Sequence, residues 1–406
     1  MKMGVRFAHL ADCHLGGWRQ EELQKLNFES FQQVVSKCIS EKVDFILIAG
    51  DLFDSAYPPI EILKETFAEF KKIHDACIPV YLIAGSHDFS ASGKTFLDVL
   101  EKAGFCKNIE NYEIIEPEKE EKEQKIKLKP VIVNNEIAVF GYAGRKSGME
   151  VSEIKRIVFD SVYPFTIFMV HTTIEDVAGN LPIEYITKKE LPLANYHAFG
   201  HIHKRFFLEE KNTIYTYPGP VFPNNFQELI DLQQGSFNLV EVNNGKVKVE
   251  SILIPTKEVV FVEISLENAF TATQDIILEL DKKNLKDKIV LLKLKGVLKQ
   301  GKSGDINFDE IHGFVRKKGA YVFLRNISSL VLPEFEMQIE TKEDENVEEK
   351  VLKEYSDKNP NEFNKFLPRL MNAFSIEKKE DEKIAIFENR LLDELKEILN
   401  LKEVVK

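Results

Sequence analysis

Cysteine is scarce in this chain, with four in 406 residues, and Cys13, Cys38, Cys77 and Cys106 form no CxxC pair. Their spacing is not disulfide-like either, which argues against a stapled secreted scaffold and for a reducing, cytoplasmic setting. Apolar runs are short: no stretch reaches the roughly 18 residues that a membrane helix needs. The amino terminus enters strand-like sequence at once, from Val5 to Leu10, without the basic-then-apolar pattern of an export signal. Positive charge is in deficit, with 54 Lys and Arg against 66 Asp and Glu, for a net charge of −12. That balance excludes coating nucleic acid by bulk electrostatics but leaves room for a local basic groove. Bound metal ions would add positive charge where a phosphate must sit. No repeat period is evident, so solenoid architectures drop out.

What is present is the texture of a multidomain globular enzyme, 44% hydrophobic and 30% charged. Up to about Pro255 strands and helices alternate in the βαβ manner. The spacing predicts helices over Glu22 to Glu41, Ile60 to His74 (opened by Pro58-Pro59) and Thr95 to Ala103, the last ending at Gly104. Strands are expected at Val43 to Ala49, Val80 to Ala84, Tyr112 to Ile115, Pro130 to Val133, Ile137 to Tyr142 and Thr166 to Val170, with a helix around Glu150 to Phe159. Glu116 to Lys129 has almost no apolar content and reads as a solvated loop. After Pro255 strands at Val259 to Ser265, Ile289 to Lys295 and Ala320 to Asn326, with helices near Ala272 to Lys282 and Asn307 to Lys318, suggest a second, small α/β unit. Glu340 to Pro360 reads as a charged tether. Asp381 to Asn400 carries the apolar stripe Ile384, Phe387, Leu391, Leu395 and Ile398, a helix that could dock on its own domain or on a partner.

Five short segments place metal-binding side chains directly after strand-forming runs: Asp12-Cys13-His14, Gly50-Asp51, Gly85-Ser86-His87-Asp88, His171, and Gly200-His201-Ile202-His203. Ligands bind outside the carboxyl ends of the strands in an open α/β sheet, so these groups can converge on one crevice. Mixed imidazole and carboxylate suits Mn, Zn or Fe. The pattern reads as a dinuclear metal site. Solitary histidines lack such partners: His9, His74, His197 and His312 are expected to be structural, and Cys13 a buried hydrophobe.

These motifs resemble those of the calcineurin-like metallophosphoesterases over roughly residues 5 to 220: DxH, GDxxD, a GNH[DE]-type motif, an isolated His and GHxH. The segments Phe7 to Gly16, Asp44 to Phe53 and Gly200 to Arg205 look more closely like the Mre-eleven/SbcD nucleases of double-strand-break repair. The resemblance implies a β-sandwich flanked by helices, an α/β fold, over residues 1–255. It further implies a small α/β capping domain at 256–335, and a tether with a helical ATPase-binding segment at 336–406. Two Mn²⁺ ions are implied, held by Asp12, His14 and His203 at the first site and by His171 and His201 at the second, with Asp51 bridging. His87 takes the place of the catalytic histidine, and Asp88 is expected to orient it. Asp54 is expected to order its loop or to support a metal ligand from behind, and not to bind metal itself. The implied activity is a 3′-5′ exonuclease and endonuclease acting on DNA ends and hairpins, as a homodimer pairing helix faces near Ile60 to His74 and Thr95 to Ala103. The implied partner is a Rad-fifty/SbcC-type ABC ATPase, and no membrane is involved. Arg19, Lys204, Arg205 and Arg145 lie near motif ends and could meet phosphates.

One departure stands out. Where the family has an Asn whose amide oxygen is a ligand of the second metal, this chain has Ser86, a shorter and weaker ligand that a water could supplement. Tyr217-Pro218-Gly219-Pro220 also differs, since Ser often follows that Gly in the family. Two other readings therefore stay open: a phosphoesterase acting on nucleotides or small molecules, and a weakly catalytic subunit that bridges DNA ends.

Overall fold

Runs of Val, Ile, Leu and Phe that are buried on both faces form the central strands, as in Phe45–Ala49, where every residue is buried. The computed structural model describes residues 4–89, 95–117, 123–145, 148–160, 162–179, 183–332, 356, 361–374 and 384–399. Two units are distinguished, Met1–Leu332 and Pro333–Lys406. The first begins β1 (Val5–Leu10), α1 (Glu21–Ser40), β2 (Phe45–Ala49), α2 (Ile60–Asp75), β3 (Val80–Ile83), α3 (Leu97–Lys102) and β4 (Lys107–Asn108). It continues β5 (Tyr112–Ile115), β6 (Lys125–Leu128), β7 (Val131–Val133), β8 (Ile137–Tyr142), α4 (Glu150–Ile154), β9 (Ile157–Val158) and β10 (Phe165–His171). Then come α5 (Glu175–Ala178), β11 (Tyr196–Gly200), β12 (Arg205–Glu210), β13 (Thr213–Pro218), α6 (Phe226–Asp231), β14 (Ser236–Asn243) and β15 (Lys246–Leu253).

One six-stranded sheet runs β15-β14-β1-β2-β3-β4 and another β12-β13-β11-β10-β8-β7. They meet in one core that takes Phe7, Phe45, Leu47 and Val240 from the first and Val139, Ile167, Met169 and Ile214 from the second. Phe31, Val34, Leu63 and Phe70 of α1 and α2 join the same cluster. On the second sheet's other face Phe140, Phe168, Val170 and Phe199 pack with Val151 and Ile154 of α4 and Val177 of α5. The expected α/β sandwich flanked by helices is thus the observed fold. The β14–β15 turn places Asn244 and Gly245 at φ 54° and 77°, an Asn-Gly pair suited to a two-residue hairpin.

Two expectations fail locally. The charged run is not all loop: Lys125–Leu128 is a strand paired antiparallel with Tyr112–Ile115. Its period of two buries Ile126 and Leu128 while the lysines point outward. Residues 118–122 of that run lie outside the described residues. The helix expected to reach Phe159 stops at Ile154, because Ile157 and Val158 pair in parallel with Ile126 and Lys127.

The small sheet comprises β16 (Val259–Ser265), β17 (Ile289–Val297) and β18 (Val322–Val331), all parallel, with α7 (Ala269–Asp281) and α8 (Phe308–Lys317) between them. In the second unit α9 (Leu367–Phe374) and α10 (Ile384–Ile398) pack through Leu370, Ala373, Leu395 and Ile398. The carboxyl-terminal part of the stripe, Leu395 and Ile398, therefore finds apolar partners within its own unit. Of the expected tether, all but residue 356 within 340–360 lies outside the described residues.

Candidate metal centre

Strands β1, β2 and β3 run parallel, so their carboxyl ends present Asp12 and His14, Asp51, and Ser86 and His87 along one edge. In the facing sheet β10 and β11 are parallel with His171 opposite Gly200, which delivers His201 and His203 to the same edge. The chain turns sharply where each strand ends. Asp12, His14, Asp51 and His201 all have positive φ (52°, 43°, 51° and 94°), a conformation uncommon outside glycine and concentrated at functional sites. Gly50, at φ 90°, is required by proximity as well, since a Cβ there would lie 2.2 Å from His171 Nδ1.

Three groups of potential ligand atoms lie within 4.8 Å of one another: Asp12, His14 and His203; Asp51, His171 and His201; and His14, Asp51 and His87. Asp51 belongs to two of these groups. Its Oδ2 lies 3.2 Å from His171 Nε2 and 3.8 Å from His14 Nε2, while its Oδ1 accepts the His87 backbone N–H at 2.8 Å. Asp12 Oδ1 accepts the His201 backbone N–H at 2.9 Å, tying the two sheets together.

Three imidazoles are aimed by acceptors on their far side. His14 Nδ1 is 3.0 Å from Asp54 Oδ1, His203 Nδ1 is 2.9 Å from Glu228 Oε1, and His171 Nδ1 is 2.8 Å from the Ala49 carbonyl. A proton on each Nδ1 leaves the Nε2 lone pair facing the site, the arrangement that metal-bound histidines use. Two further observations fit a pair of cations. Asp12 Oδ2 is buried without a hydrogen-bond partner, and the Nε2 atoms of His14 and His203 face each other at 3.0 Å. Two imidazole lone pairs at that distance repel one another unless a proton or a cation lies between them.

Electrostatics reinforce this. Burial would raise the Asp51 carboxyl, but the His171 and His14 imidazoles and the His87 N–H hold it far below the usual range. Burial alone would lower the His171 imidazole, but Asp51 beside it outweighs burial and lifts it to about 10. Burial and the His171 charge lower His201 to about 4. A metal must therefore displace the proton of His171 at neutral pH. Because its metal-free pKa is raised, the proton is held below about 10 and released as pH climbs through that value. Metal affinity should thus rise with pH, by up to about tenfold per unit for one displaced proton, and binding should release a proton. Calorimetry of metal binding in buffers of different ionisation enthalpy measures that release; a buffer-independent heat at pH 7 would contradict it.

Asp88 requires a correction. It does not hold the His87 imidazole: its oxygens accept the backbone N–H groups of Leu52, Phe53 and Gly85 at 3.3, 3.1 and 2.9 Å. Burial, together with the Asp51 charge, raises it to about 7. Asp88 instead stitches the loop after β2 to the loop after β3. His87 Nδ1 is met by the Asp54 carbonyl oxygen, at 2.8 Å. The Ser86 hydroxyl sits 3.4 Å from Asp51 Oδ2, within the constellation.

Arg145 is spoken for, paired with Glu110 at 2.6 Å and Glu153 at 3.4 Å and lying over the Tyr142 ring. Arg19, Lys204 and Arg205 are exposed. The solitary histidines sit as expected. His9 is wholly buried between Tyr196 OH at 3.0 Å and the Phe199 carbonyl at 3.1 Å, and burial lowers it to about 3. His197 contacts the Pro192 carbonyl at 3.0 Å, and His74 and His312 lie against Phe105 and Phe323. Cys13 is buried and belongs to none of the ligand groups.

Glu228 is the residue that sequence reasoning missed. It lies in the first turn of α6, where the Asn225 side chain accepts the Glu228 N–H. Asn225-Phe226-Gln227-Glu228 has the Asn-x-x-Glu spacing of a capping box, a readable helix start, but nothing in that spacing reveals that the carboxylate also reaches His203.

Residues 5–205 match the family described as calcineurin-like phosphoesterase. The chain is 28% identical over 278 residues to a protein of Methanocaldococcus jannaschii named DNA double-strand break repair protein Mre11, a match covering 65% of this chain and 70% of that one. A protein of the same name from Archaeoglobus fulgidus is 26% identical over 284 residues, covering 65% of this chain and 62% of its own. The uncharacterized metallophosphoesterase YhaO of Bacillus subtilis is 27% identical over 263 residues, covering 62% and 60%. The match thus spans less than two thirds of the latter two relatives. The family match covers the strands whose ends carry the converging ligands, and through this domain the chain belongs to the calcineurin-like phosphoesterases, which are metal-dependent hydrolases.

Proposed function

We propose that this chain is a Mn²⁺-dependent DNA phosphodiesterase that processes double-strand-break ends, with exonuclease and endonuclease activity, in complex with a Rad-fifty/SbcC-type ATPase. The observation that carries the reading is the pair of ligand groups Asp12-His14-His203 and Asp51-His171-His201, linked where Asp51 Oδ2 comes within 3.8 Å of His14 Nε2, with the exposed His87 close by. Similarity to the archaeal repair proteins supports DNA as the substrate. When bound, two metals would acidify a water and neutralise charge on the phosphate.

The protein's own residues define the rest. Asp12, His14 and His203 would hold one ion, His171 and His201 the other, and Asp51 both. Ser86 faces Asp51, where its hydroxyl can complete the second site directly or through water. His87, with Nδ1 engaged by the Asp54 carbonyl, can in its imidazolium form give the Nε2 proton to the departing 3′-oxygen. Arg19, Lys204 and Arg205 are available to the DNA backbone. Residues 256–335 would cap the nuclease domain and 336–406 would carry the ATPase-binding segment. Ile60 on α2 and Val99 on α3 are exposed, which supports pairing of these helices in a homodimer. The test is a nuclease assay on linear and hairpin DNA with Mn²⁺ and Mg²⁺, with and without the co-purified ATPase. Absence of DNA cleavage alongside turnover of small phosphodiesters would favour the small-molecule reading.

Ser86 keeps the weakly catalytic, end-bridging reading open. Ser86→Asn should tighten the second metal site, because an amide oxygen reaches further and donates better to a hard cation. If water completes the native site, the Mn²⁺ concentration for half-maximal rate should fall while the maximal rate holds. If the native protein is a scaffold, activity should appear where little existed. Metal titrations of both proteins on one hairpin check this; identical curves would remove Ser86 from the metal.

A further inference from the structure

The small sheet has two buried faces with different neighbours. Along β17 the residues alternate: Val290, Leu292 and Leu294 pack in a cluster with Ala272, Ile276 and Leu280 of α7 and Ile311 and Val315 of α8. Ile289 and Leu291 point the other way, into a cluster with Leu23 and Leu26 of α1, Phe222, and Leu229 of α6. Phe226 and Ile230 of α6 pack on this second cluster too, giving the helix one apolar side at helical spacing. The first turn of α6 carries Glu228, which reaches His203.

The loop entering α6 extends the connection. Asn224 donates its backbone N–H to Glu228 Oε2 at 2.8 Å and its side-chain amide to Asp54 Oδ1 at 3.3 Å. Asp54 in turn aims His14. The carbonyl of Pro223 accepts from the Trp18 indole at 2.9 Å, and Trp18 also packs on the same apolar cluster. Both carboxylates that orient the imidazoles of the Asp12, His14 and His203 group are thus fixed by one loop and one short helix. The other group is supported differently: His171 is aimed by the Ala49 carbonyl within the sandwich, and no hydrogen bond from α6 or its entry loop to His171 or His201 is found among the described residues.

We infer that α6 couples the small sheet to one metal only: Glu228 and Asn224 are positioning residues whose placement follows the Leu291 face of that sheet. A shift of the sheet relative to the sandwich therefore loosens the Asp12, His14 and His203 site and spares the Asp51, His171 and His201 site. By linkage, occupation of the first site favours one seating of the small sheet. The inference rests on the assignment of His203 as a ligand.

The test compares Leu291→Ala with Leu292→Ala in the full chain. The two leucines are adjacent on one strand and equally buried, and they face opposite clusters. Mn²⁺ binding is followed by calorimetry, and the binding step lost in His203→Ala identifies the first site. Leu291→Ala should weaken that step about tenfold, the low end for loss of a group that orients a ligand, and leave the other step unchanged. Leu292→Ala should leave both steps unchanged. Leu291→Val and Leu292→Val repeat the comparison should either alanine variant not fold. Equal weakening by both leucine variants, or by neither, overturns the coupling. Retention of both steps in His203→Ala overturns the ligand assignment and the coupling with it, and is distinguishable because it appears in that variant alone.

Discussion

Asp51→Asn should lose most of its metal at both sites and fall to background phosphodiesterase activity. One carboxylate serves two ligand groups, with Oδ2 near the Nε2 atoms of both His171 and His14. Replacing it with a neutral amide removes the single negative charge common to both ions. The fold should survive, because Asn is nearly isosteric and tolerates the φ of 51° that position 51 adopts. Removing the charge also relieves Asp88, which Asp51 helps to push up, and releases the proton that Asp51 stabilises on His171. Relief of Asp88 offsets only part of the lost pairing, because Asp51 held low and His171 held high both mark that pair as stabilising near neutral pH, so the metal-free variant should melt below the metal-free wild type. Metal analysis of the purified variant, with its melting curve beside that of the metal-free wild type, measures both. Retention of two full equivalents would end the bridging assignment.

How much of this was legible in the sequence depends on what holds each residue in place. The ligand groups follow hydrophobic runs, and the carboxyl end of a strand is a location that local pattern alone defines. Asp12, Asp51, His171, His201 and His203 could therefore be found without coordinates. Of the residues that support the ligands, Asp54, the second acid of Gly50-Asp51-Leu52-Phe53-Asp54, was within reach, but Asp88 and Glu228 were not. Asp88 follows His87 in the chain, and the ordinary expectation that a carboxylate supports its neighbouring imidazole put it in the wrong role. Only the apposition of two loops shows that backbone N–H groups claim both of its oxygens. Glu228 lies 25 residues beyond His203, and its reach depends on how α6 is seated. The strand Lys125–Leu128 was hidden differently: its alternation is present, but only four residues long and inside a charged run, where composition outweighs period.

His87→Ala should lower phosphodiester cleavage by about 10²–10⁴-fold, the usual range for loss of a general acid, while metal content stays near that of the wild type. Two features separate this residue from the ligands. Its side chain is 46% exposed, whereas those of His14 and His171 are at most 2% exposed. Its contribution to the metal pocket is also made by the backbone, whose N–H binds Asp51 Oδ1 and persists in alanine. The substitution thus removes an imidazole without freeing the bridging carboxylate. The competing assignment is concrete, since His87 also forms a group with His14 and Asp51 and its ring lies 4.8 Å from that of His14. Were it a ligand, alanine would lower Mn²⁺ affinity, and raising Mn²⁺ would restore part of the rate. Were it a proton donor, excess Mn²⁺ would restore nothing. A substrate whose leaving group needs no proton, such as a p-nitrophenyl phosphodiester, would then lose far less rate than DNA. Equal losses on the two substrates, at saturating metal, would leave His87 without the acid's role.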